Sequence, residues 1–389
     1  MSLTVGIPKE TFPGERRVAM TPGAFDRLAK SGMKLVVEQG AGEAAGFPDS
    51  EYEAKGAVIA SRAEVFAQSD VILQVRTLGA NPEAGRADTQ YLRAGQTVIG
   101  MSEPLNAFEA IAELAKANVT LFAMELIPRI TRAQSMDVLS SMATVAGYRA
   151  VLAGASVSPR MFPMLTTAAG TIAPAKVFVL GVGVAGLQAL ATAKRLGAVC
   201  SAYDVRPAVK EQAESVGAKF VSLDIDAKSS EGSGGYAKAM DEDFYRRQRE
   251  LMTNVLRDQD VVITTAAVPG KKAPILITAE MVRAMHPGAV IVDMAAERGG
   301  NCELTRAGET VVESGVFILG PTNLPSESAY HSSQMYAKNV ATFLQHLAPK
   351  GSFELNLLDE ITRETMVTQG GQTVHKKVAE LMAPELVGG

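Results

Sequence analysis

The chain has 389 residues, of which 47% are hydrophobic and 21% charged, so it is globular in composition and too long for one ordinary domain core. A net charge of −4, with Lys and Arg scattered along the chain, argues against nucleic acid as a partner. The two cysteines, Cys200 and Cys302, lie far apart without a C-x-x-C motif, which is typical of reduced thiols and predicts no metal site. No signal peptide and no long uninterrupted apolar stretch are visible, so we expect no direct membrane span.

Short β-branched runs alternate with helix-length segments in two series along the chain. Near-continuous apolar strands separated by helices predict parallel sheets that are covered on both faces. The sequence therefore predicts an α/β fold of two doubly wound Rossmann-like domains with parallel sheets, linked by long helices. The predicted strands are "LTVGIP", "KLVVEQ", "DVILQV", "TVIGM" and "VTLFAM" in the first series, and "KVFVLG", "CSAYDV", "KFVSLD", "DVVITTA", "AVIVDMAA" and "VFILG" in the second.

Two long helix-permissive segments connect the series. They are "RAQSMDVLSSMATVAGYRAVLAGA" and "SESAYHSSQMYAKNVATFLQHL". The residues after the second segment are too few for a third domain, so we expect them to return to the first. The predicted domains are residues 1–136 with 328–389, and a second Rossmann-like domain at 137–327.

A concentrated polar segment follows the last strand of the first series. It carries Arg129, Arg132, Gln134, Asp137 and Ser140. Arginine and glutamine are hydrogen-bonding residues suited to a carboxamide and a pyrophosphate, and a cleft between two α/β domains is a usual place for a ligand. The alternative is a solvated loop that only caps the following helix.

Residues 177–198, "VFVLGVGVAGLQALATAKRLGA", combine a strand, a G-x-G-x-x-G turn and a helix. In such a motif Gly181 permits a tight turn, Gly183 lets backbone N–H groups approach a pyrophosphate, and Gly186 lets the helix pack closely on the strand. The helix N-terminus then offers unpaired N–H groups and a positive dipole end to the phosphates. The segment therefore predicts a dinucleotide turn.

An acidic residue, Asp204, stands at the end of the next strand. There a carboxylate accepts both ribose hydroxyls and repels a 2′-phosphate, which favours NAD(H) over NADP(H). The neighbouring Arg206 suits a 2′-phosphate and complicates this choice, but the leading position of Asp204 still favours NAD(H). The alternative is an aspartate that merely caps a turn.

The first series contains no histidine, a residue that dehydrogenases of hydroxy or amino acids commonly use for proton transfer. Such an enzyme uses a positioned acid or base, usually His or Lys, but all four histidines lie at or beyond His286.

A Ser/Gly-rich insertion, Ser229 to Gly235, precedes Tyr236 in the second series. It predicts a lid that closes on the ligand, with a disordered surface insertion as the alternative.

Several motifs resemble the alanine dehydrogenase and transhydrogenase superfamily. They are "VGIPKETFPGERRVAMTP", "PRITRAQSMDVLSS", "GVGVAGLQALATAKRLGA", "ITTAAVPGKKAPILI" and "GGNCEL". The pattern is most similar to the NAD(H)-binding component of proton-translocating transhydrogenases. Arg76 stands where alanine dehydrogenases have a lysine, and "TVIGMSEPLN" lacks their histidine, which argues against keto-acid chemistry. The spacing R-x-x-x-x-Q-x-x-D-x-x-S, by contrast, resembles the transhydrogenase loop that holds the nicotinamide, and Tyr236 matches the tyrosine of that family's mobile loop.

The resemblance implies that this chain binds NAD(H), that a partner subunit binds NADP(H), and that a membrane subunit couples hydride transfer to proton translocation. It also implies a homodimer, cytoplasmic and peripheral on the inner face of a bacterial membrane. The alternatives are an alanine dehydrogenase-like NAD-dependent amino-acid dehydrogenase and an NAD-sensing regulatory module. The predicted catalytic residues are Gln134, Arg129, Asp137 and Ser140; the predicted cofactor-binding residues are Arg129, Ile130, Gln134, Gly181, Val182, Gly183, Val184, Ala185, Gly186, Asp204, Val205, Arg206, Gly235, Tyr236, Thr265 and Ala266.

Overall fold

A computed structural model describes residues 2–222, 242–267 and 270–383. The chain divides into two compact units. Unit 1 takes the residues up to Met142 together with those from Ser326 onwards, and unit 2 takes Ala143–Pro325. The first division falls within a long helix, Val138–Val157, whereas the sequence-based boundary stood just before that helix.

The secondary structure alternates between strands and helices through both units. The strands are β1 (Thr4–Ile7), β2 (Lys34–Glu38), β3 (Val58–Ala60), β4 (Val71–Arg76), β5 (Thr97–Met101), β6 (Thr120–Ala123), β7 (Leu165–Thr167), β8 (Gly170–Ile172), β9 (Lys176–Leu180), β10 (Val199–Tyr203), β11 (Lys219–Phe220), β12 (Val261–Thr264), β13 (Val290–Asp293), β14 (Thr310–Glu313), β15 (Val316–Leu319), β16 (Met366–Gln369) and β17 (Gln372–Thr373). The helices are α1 (Pro22–Ala29), α2 (Asp49–Glu53), α3 (Arg62–Gln68), α4 (Phe108–Lys116), α5 (Val138–Val157), α6 (Val184–Arg195), α7 (Lys210–Ser215), α8 (Glu242–Leu256), α9 (Ala279–Arg283), α10 (Ala329–Leu347), α11 (Glu360–Thr365) and α12 (Lys376–Met382).

The sheet of unit 1 has the order β17-β16-β6-β5-β4-β1-β2-β3. Strands β1 to β6 run parallel, while β16 pairs antiparallel with β6 and β17 pairs antiparallel with β16. The chain thus reverses direction across the sheet between β1 and β4, the topological switch point of this unit. Successive side chains of β4 enter different cores, with Leu73 in one and Ile72 in the other, because neighbouring residues of a strand point to opposite faces.

The sheet of unit 2 has the order β11-β10-β9-β12-β13-β15-β14 and is parallel except for β14 at its edge. Its switch point lies at β9, between β10 and β12. Val177 and Val179 of β9 belong to one buried cluster and Phe178 and Leu180 to another, so the central strand is apolar on both faces. This arrangement confirms the predicted α/β class with parallel sheets.

All eleven predicted strands are present. The strands that the sequence did not predict lie outside the central parallel part of either sheet. They are β3, β7, β8, β14, β16 and β17, which lie at sheet edges, pair antiparallel or form the separate hairpin β7–β8. Such strands are short and lack the long apolar run that marks a strand buried on both faces.

Helix α5 is the one helix among the described residues that is long and apolar enough to cross a membrane. This judgement rests on length and composition alone, and core helices of globular proteins also meet it. Helix α10 occupies the second segment predicted as a long helix, and its buried side chains include Tyr336, Phe343 and Leu344.

Candidate functional site

The turn that follows β9 stands at the switch point of unit 2. Open α/β sheets bind ligands in the crevice outside the carboxyl ends of their strands, at such a point. Helix α6 begins at Val184 directly after the turn, with Gly183 as its N-cap. The unpaired N–H groups and the positive dipole end of α6 therefore stand at this crevice, where an anion is stabilised.

The three glycines of the turn meet three different requirements. Gly181 has a φ of +103°, and a Cβ there would lie 2.5 Å from Thr265 Oγ1. A Cβ at Gly186 would lie 1.9 Å from the carbonyl oxygen of Gly181, so the helix packs directly on the turn. A Cβ at Gly183, in contrast, would meet nothing within 4 Å. The backbone at Gly183 is thus the approachable part of the turn, which fits a pyrophosphate.

Asp204 follows the carboxyl end of β10 and is bonded to the same turn. Its Oδ2 accepts a hydrogen bond of 2.7 Å from the backbone N–H of Val182. The guanidinium of Arg206 donates to both carboxylate oxygens, from Nε to Oδ1 at 2.9 Å and from Nη2 to Oδ2 at 2.8 Å. The Arg206 backbone N–H adds a bond of 2.8 Å to Oδ1.

This bidentate pair is buried, since the side chains of Arg206 and Asp204 are 10% and 4% exposed. Each oxygen of Asp204 already accepts two hydrogen bonds, so ribose hydroxyls that bind there must compete with the guanidinium. The sequence predicted Asp204 as a ribose acceptor and Arg206 as a complication; the structure joins the two in one ion pair.

Thr265 and Ala266 follow the carboxyl end of β12, on the other side of the turn. The Thr265 hydroxyl donates a 2.9 Å hydrogen bond to the carbonyl oxygen of Gly181. The Asn301 side chain holds both backbone groups of Ala266, accepting from its N–H at 3.0 Å and donating to its carbonyl at 2.8 Å. Asn301 also donates to the carbonyl of Pro274 at 2.9 Å. The side-chain amide of Asn301 therefore fixes the backbone at this edge of the turn.

The loop that carries Asn301 is held in turn by Asp293, a fully buried carboxylate at the end of β13. Its Oδ2 accepts from the backbone N–H groups of Asn301 and Cys302 at 2.7 and 2.9 Å, and from the Thr305 hydroxyl at 2.6 Å. Its Oδ1 accepts from the Thr264 hydroxyl at 2.9 Å. Sequence reasoning missed Asp293 and Asn301 as site residues. The sequence did contain two signals for them. An aspartate ends an apolar strand, and Asn301 follows two adjacent glycines in "GGNCEL", both of which have a positive φ in the structure.

The polar segment 129–140 lies in unit 1; it follows β6 and ends within the first turn of α5. It contains a 3-10 turn, Thr131–Met136, of which Ala133 and Met136 are buried in the core of that unit. Arg129 and Gln134 are exposed, and Ile130 is half-buried. The segment is thus anchored by its apolar residues while its predicted ligand-binding residues reach the surface.

Asp137 and Ser140 cap the start of α5. Asp137 Oδ1 accepts from the backbone N–H of Ser140 at 2.9 Å, and Oδ2 accepts from the Ser140 hydroxyl at 2.6 Å. These bonds pair an N–H group that the helix leaves unpaired, as an N-cap aspartate does. Asp137 and Ser140 therefore have the helix-capping role that the sequence offered as the alternative to ligand binding.

The predicted lid and the two cysteines complete the sequence-predicted features. Gly235, Tyr236 and the Ser/Gly-rich insertion that predicts a lid lie outside the described residues. Burial raises the pKa of the Cys200 and Cys302 thiols to about 11, so neither is a thiolate near neutral pH. Within the ranges that the structure describes, no group of three or more His, Cys, Asp or Glu side chains is arranged to hold a metal.

Comparisons with known proteins agree over nearly the whole chain. The models of the alanine dehydrogenase/PNT family match residues 6–146 with the N-terminal domain and residues 150–376 with the C-terminal domain. A protein of Rhodospirillum rubrum, named as the first part of NAD(P) transhydrogenase subunit alpha, is 48% identical over 96% of this chain and 98% of its own length. An alanine dehydrogenase of Halomonas elongata is 31% identical over 99% of this chain and 98% of its own.

A solved structure described as transhydrogenase from Sinorhizobium meliloti is also similar. It has a TM-score of 0.85 and 45% sequence identity, and the match covers 95% of this chain and all of that one. Both transhydrogenase proteins share more sequence with this chain than the alanine dehydrogenase does. On the match of both domain models and these relatives, the chain belongs to the alanine dehydrogenase/PNT family.

Proposed function

We propose that this chain is the NAD(H)-binding component of a proton-translocating transhydrogenase. Similarity over almost the full length to proteins named as transhydrogenase alpha subunits supports a transhydrogenase role. The observation that carries the nucleotide assignment is the glycine turn bonded to Asp204 at the switch point of unit 2. The backbone there is open at Gly183 and closed at Gly181 and Gly186, as a dinucleotide requires.

In this proposal the pyrophosphate of NAD(H) lies at the N-terminus of α6 and the adenosine ribose at Asp204. Because the Val182 N–H donates to the Asp204 carboxylate, the turn itself fixes the ribose acceptor. A 2′-phosphate would meet that carboxylate, so NADPH should bind more weakly. The proposed contacts of unit 2 are Gly181, Val182, Gly183, Val184, Ala185, Gly186, Asp204, Val205, Arg206, Thr265 and Ala266; Gly235 and Tyr236 are proposed on the sequence motif alone.

We assign the orientation of the nicotinamide to segment 129–140, on the strength of its motif. The nicotinamide supplies a hydride, and passing it to a second nicotinamide needs proximity and orientation but no proton at the reacting carbon. Gln134 suits this role because its neutral amide forms hydrogen bonds without delivering a proton. Arg129 and Ile130 complete the proposed contacts, while Asp137 and Ser140 act as positioning residues through the cap of α5.

The remaining components of the assembly belong to the proposal as well. A partner subunit carries NADP(H), a membrane subunit couples hydride transfer to proton translocation, and this chain acts as a homodimer. It would then be cytoplasmic and peripheral, on the inner face of a bacterial membrane. These features rest on the family resemblance and on the subunit names of the relatives.

A reconstitution experiment tests the proposal. The purified chain is mixed with a purified NADP(H)-binding component, NADH and NADP+, and NADPH formation is followed. We expect exchange that requires both components and that falls at subsaturating NADH in Asp204→Ala, but not in Asp258→Ala, an exposed aspartate of the same unit. NADH binding without exchange would favour a regulatory module. Turnover of pyruvate, ammonia and NADH by the chain alone would favour an amino-acid dehydrogenase.

A further inference from the structure

Segment 129–140 is fastened to unit 1 by side chains from the C-terminal part of the chain. One of them lies on α10 and the other directly precedes α11, and both belong to the same unit as the segment. They contact Arg132 and Ser135, which stand on either side of Ala133 and Gln134. Gln134, the exposed residue to which we assign the orientation of the nicotinamide, thus lies between two polar anchors.

The first anchor is Asn339, in the middle of α10. Its Nδ2 donates a 2.8 Å hydrogen bond to the carbonyl oxygen of Ser135, the residue that follows Gln134. Asn339 is 6% exposed, and its Oδ1 is buried without a hydrogen-bond partner among the described residues. A buried acceptor without a partner costs free energy, which an apolar side chain of similar size would not. Asn339 therefore holds the backbone beside Gln134 at a position where leucine would make the core more stable.

The second anchor is Asp359, the N-cap of α11. Its Oδ1 accepts from the backbone N–H groups of Ile361 and Thr362 at 2.9 and 3.3 Å, which fixes the carboxylate on the helix. Its Oδ2 accepts a 2.7 Å bond from Arg132 Nη1. His346 Nε2, from α10, lies 3.3 Å from Oδ1. One carboxylate therefore caps α11 and holds the side chain of Arg132.

The pair of Arg132 with Asp359 orients the segment but contributes little to the stability of the fold. The Arg132 side chain is 51% exposed, and ion pairs so open to solvent are weakened by screening. Partial burial alone would raise the pKa of Asp359, but hydrogen bonds from Arg132 and the Thr362 N–H, together with the nearby His346, lower it below its usual value. The carboxylate is thus ionised near neutral pH and keeps the Arg132 side chain in one direction.

The apolar contacts of the segment do not by themselves fix the direction of Gln134. Ala133 and Met136 hold the 3-10 turn Thr131–Met136 in the core of unit 1. Hydrogen bonds of a 3-10 turn have poorer geometry than those of an α-helix, so such a turn is easily distorted. An exposed side chain on it keeps a defined direction when neighbouring residues are locked by further hydrogen bonds.

We propose that Asn339 and Asp359 are positioning residues for hydride transfer, which together hold the Gln134 side chain in the direction of the nicotinamide. This inference rests on the proposed function and extends it to residues outside segment 129–140. Asn339 acts through the backbone and Asp359 through the side chain of Arg132.

Three variants test the proposal. Asn339→Leu removes both polar atoms at nearly constant volume, and Asp359→Asn keeps an oxygen for the α11 cap but loses the charge that holds Arg132. Thr342→Val, the control, removes a hydroxyl at another buried position of α10.

We expect hydride transfer to the NADP(H)-binding component at saturating NADH to fall about tenfold in Asn339→Leu and Asp359→Asn, with the NADH dissociation constant nearly unchanged. Asn339→Leu should melt at or above the native temperature, whereas loss of a merely structural residue would lower the melting temperature. Backbone amides of residues 131–136 should exchange faster with deuterated water in both variants. Thr342→Val should transfer hydride and exchange these amides at the native rates.

The outcomes separate this inference from the proposed function. A native chain that transfers no hydride would refute the proposed function, and the positioning role with it. An active native chain whose two variants transfer hydride at the native rate, or leave amide exchange over residues 131–136 unchanged, would overturn the positioning role alone. An Asn339→Leu variant that does not fold would make Asn339 a structural residue.

A double variant tests whether Asp359 acts through Arg132. Arg132→Ala combined with Asp359→Asn should be no slower than the slower of the two single variants, because both remove the same bond. Losses that multiply would show that Asp359 does not act through Arg132.

Discussion

The ion pair of Asp204 with Arg206 leads to a prediction about nucleotide choice that differs from simple loss of binding. Asp204→Ala removes the proposed ribose acceptor and at the same time releases a guanidinium that now donates to both carboxylate oxygens. The planar guanidinium of Arg206 has the bidentate geometry that suits a phosphate. We therefore expect NADH binding to weaken while NADPH binding improves.

The magnitude follows from the bonds involved. Hydrogen bonds to a charged group contribute about 1.5–3 kcal/mol, and the ribose must already compete with Arg206, so NADH affinity should fall about 10- to 100-fold. A contact between the Arg206 guanidinium and a 2′-phosphate should contribute about 1–1.5 kcal/mol, or about tenfold in NADPH affinity. The ratio of the two dissociation constants should thus change by about 10²- to 10³-fold.

Titration of the fluorescence of each reduced nucleotide gives both dissociation constants. The double variant Asp204→Ala with Arg206→Ala should keep the loss of NADH affinity and lose the gain in NADPH affinity. Asp204→Asn, whose amide oxygen still accepts from the Val182 N–H, controls for disruption of the turn. If the ratio of the two dissociation constants is unchanged in Asp204→Ala, the reasoning is refuted. If the double variant still binds NADPH more tightly than the native chain, Arg206 is not the group that binds the 2′-phosphate.

Three further predictions address other regions of the molecule. Gln134→Asn shortens the side chain by one methylene, so exchange with the NADP(H)-binding component should fall by about 10²-fold while NADH affinity changes much less; equal losses would make Gln134 only an affinity contact. Asn301→Ala leaves the Ala266 N–H and carbonyl without their side-chain partner, so the free energy of unfolding in urea should fall by about 2–4 kcal/mol, and a change below about 0.5 kcal/mol would contradict the clamp. The pKa of Glu10 is raised from 4.5 to about 8 in the folded protein, so the native state retains a proton that the unfolded state loses. Stability should therefore fall as pH rises from about 5 to about 8, by at most about 1.4 kcal/mol per pH unit from this group, and Glu10→Gln should have a shallower decline in urea titrations; identical slopes in the two proteins would show that Glu10 titrates normally.

The sequence alone was sufficient for the fold class and for the glycine turn. Strands inside a parallel sheet are mostly apolar because both of their faces are covered, and this property is local, so all eleven predicted strands are present. The turn was found for the same reason. A positive φ at Gly181 and the close approach of Gly186 to the Gly181 carbonyl can be met only by glycine, and they leave a fixed spacing in the sequence.

The tertiary structure decided which side chains the charged and polar residues contact. Asp293 and Asn301 act on Ala266 only because β12 and β13 are neighbours in the sheet, and no periodic pattern records that neighbourhood. Likewise β16 joins unit 1 by pairing with β6, which lies far from it in the sequence.

Even the pairs that are close in sequence needed the backbone geometry to be recognised. Glu15 with Arg17 and Asp204 with Arg206 are each two residues apart, yet the sequence showed only charges that could equally contact solvent or a ligand. Where each chain segment leaves a strand, the loop conformation turns both side chains toward one another and away from water. Burial then strongly favours the pair, because an ionised group removed from water must be paired.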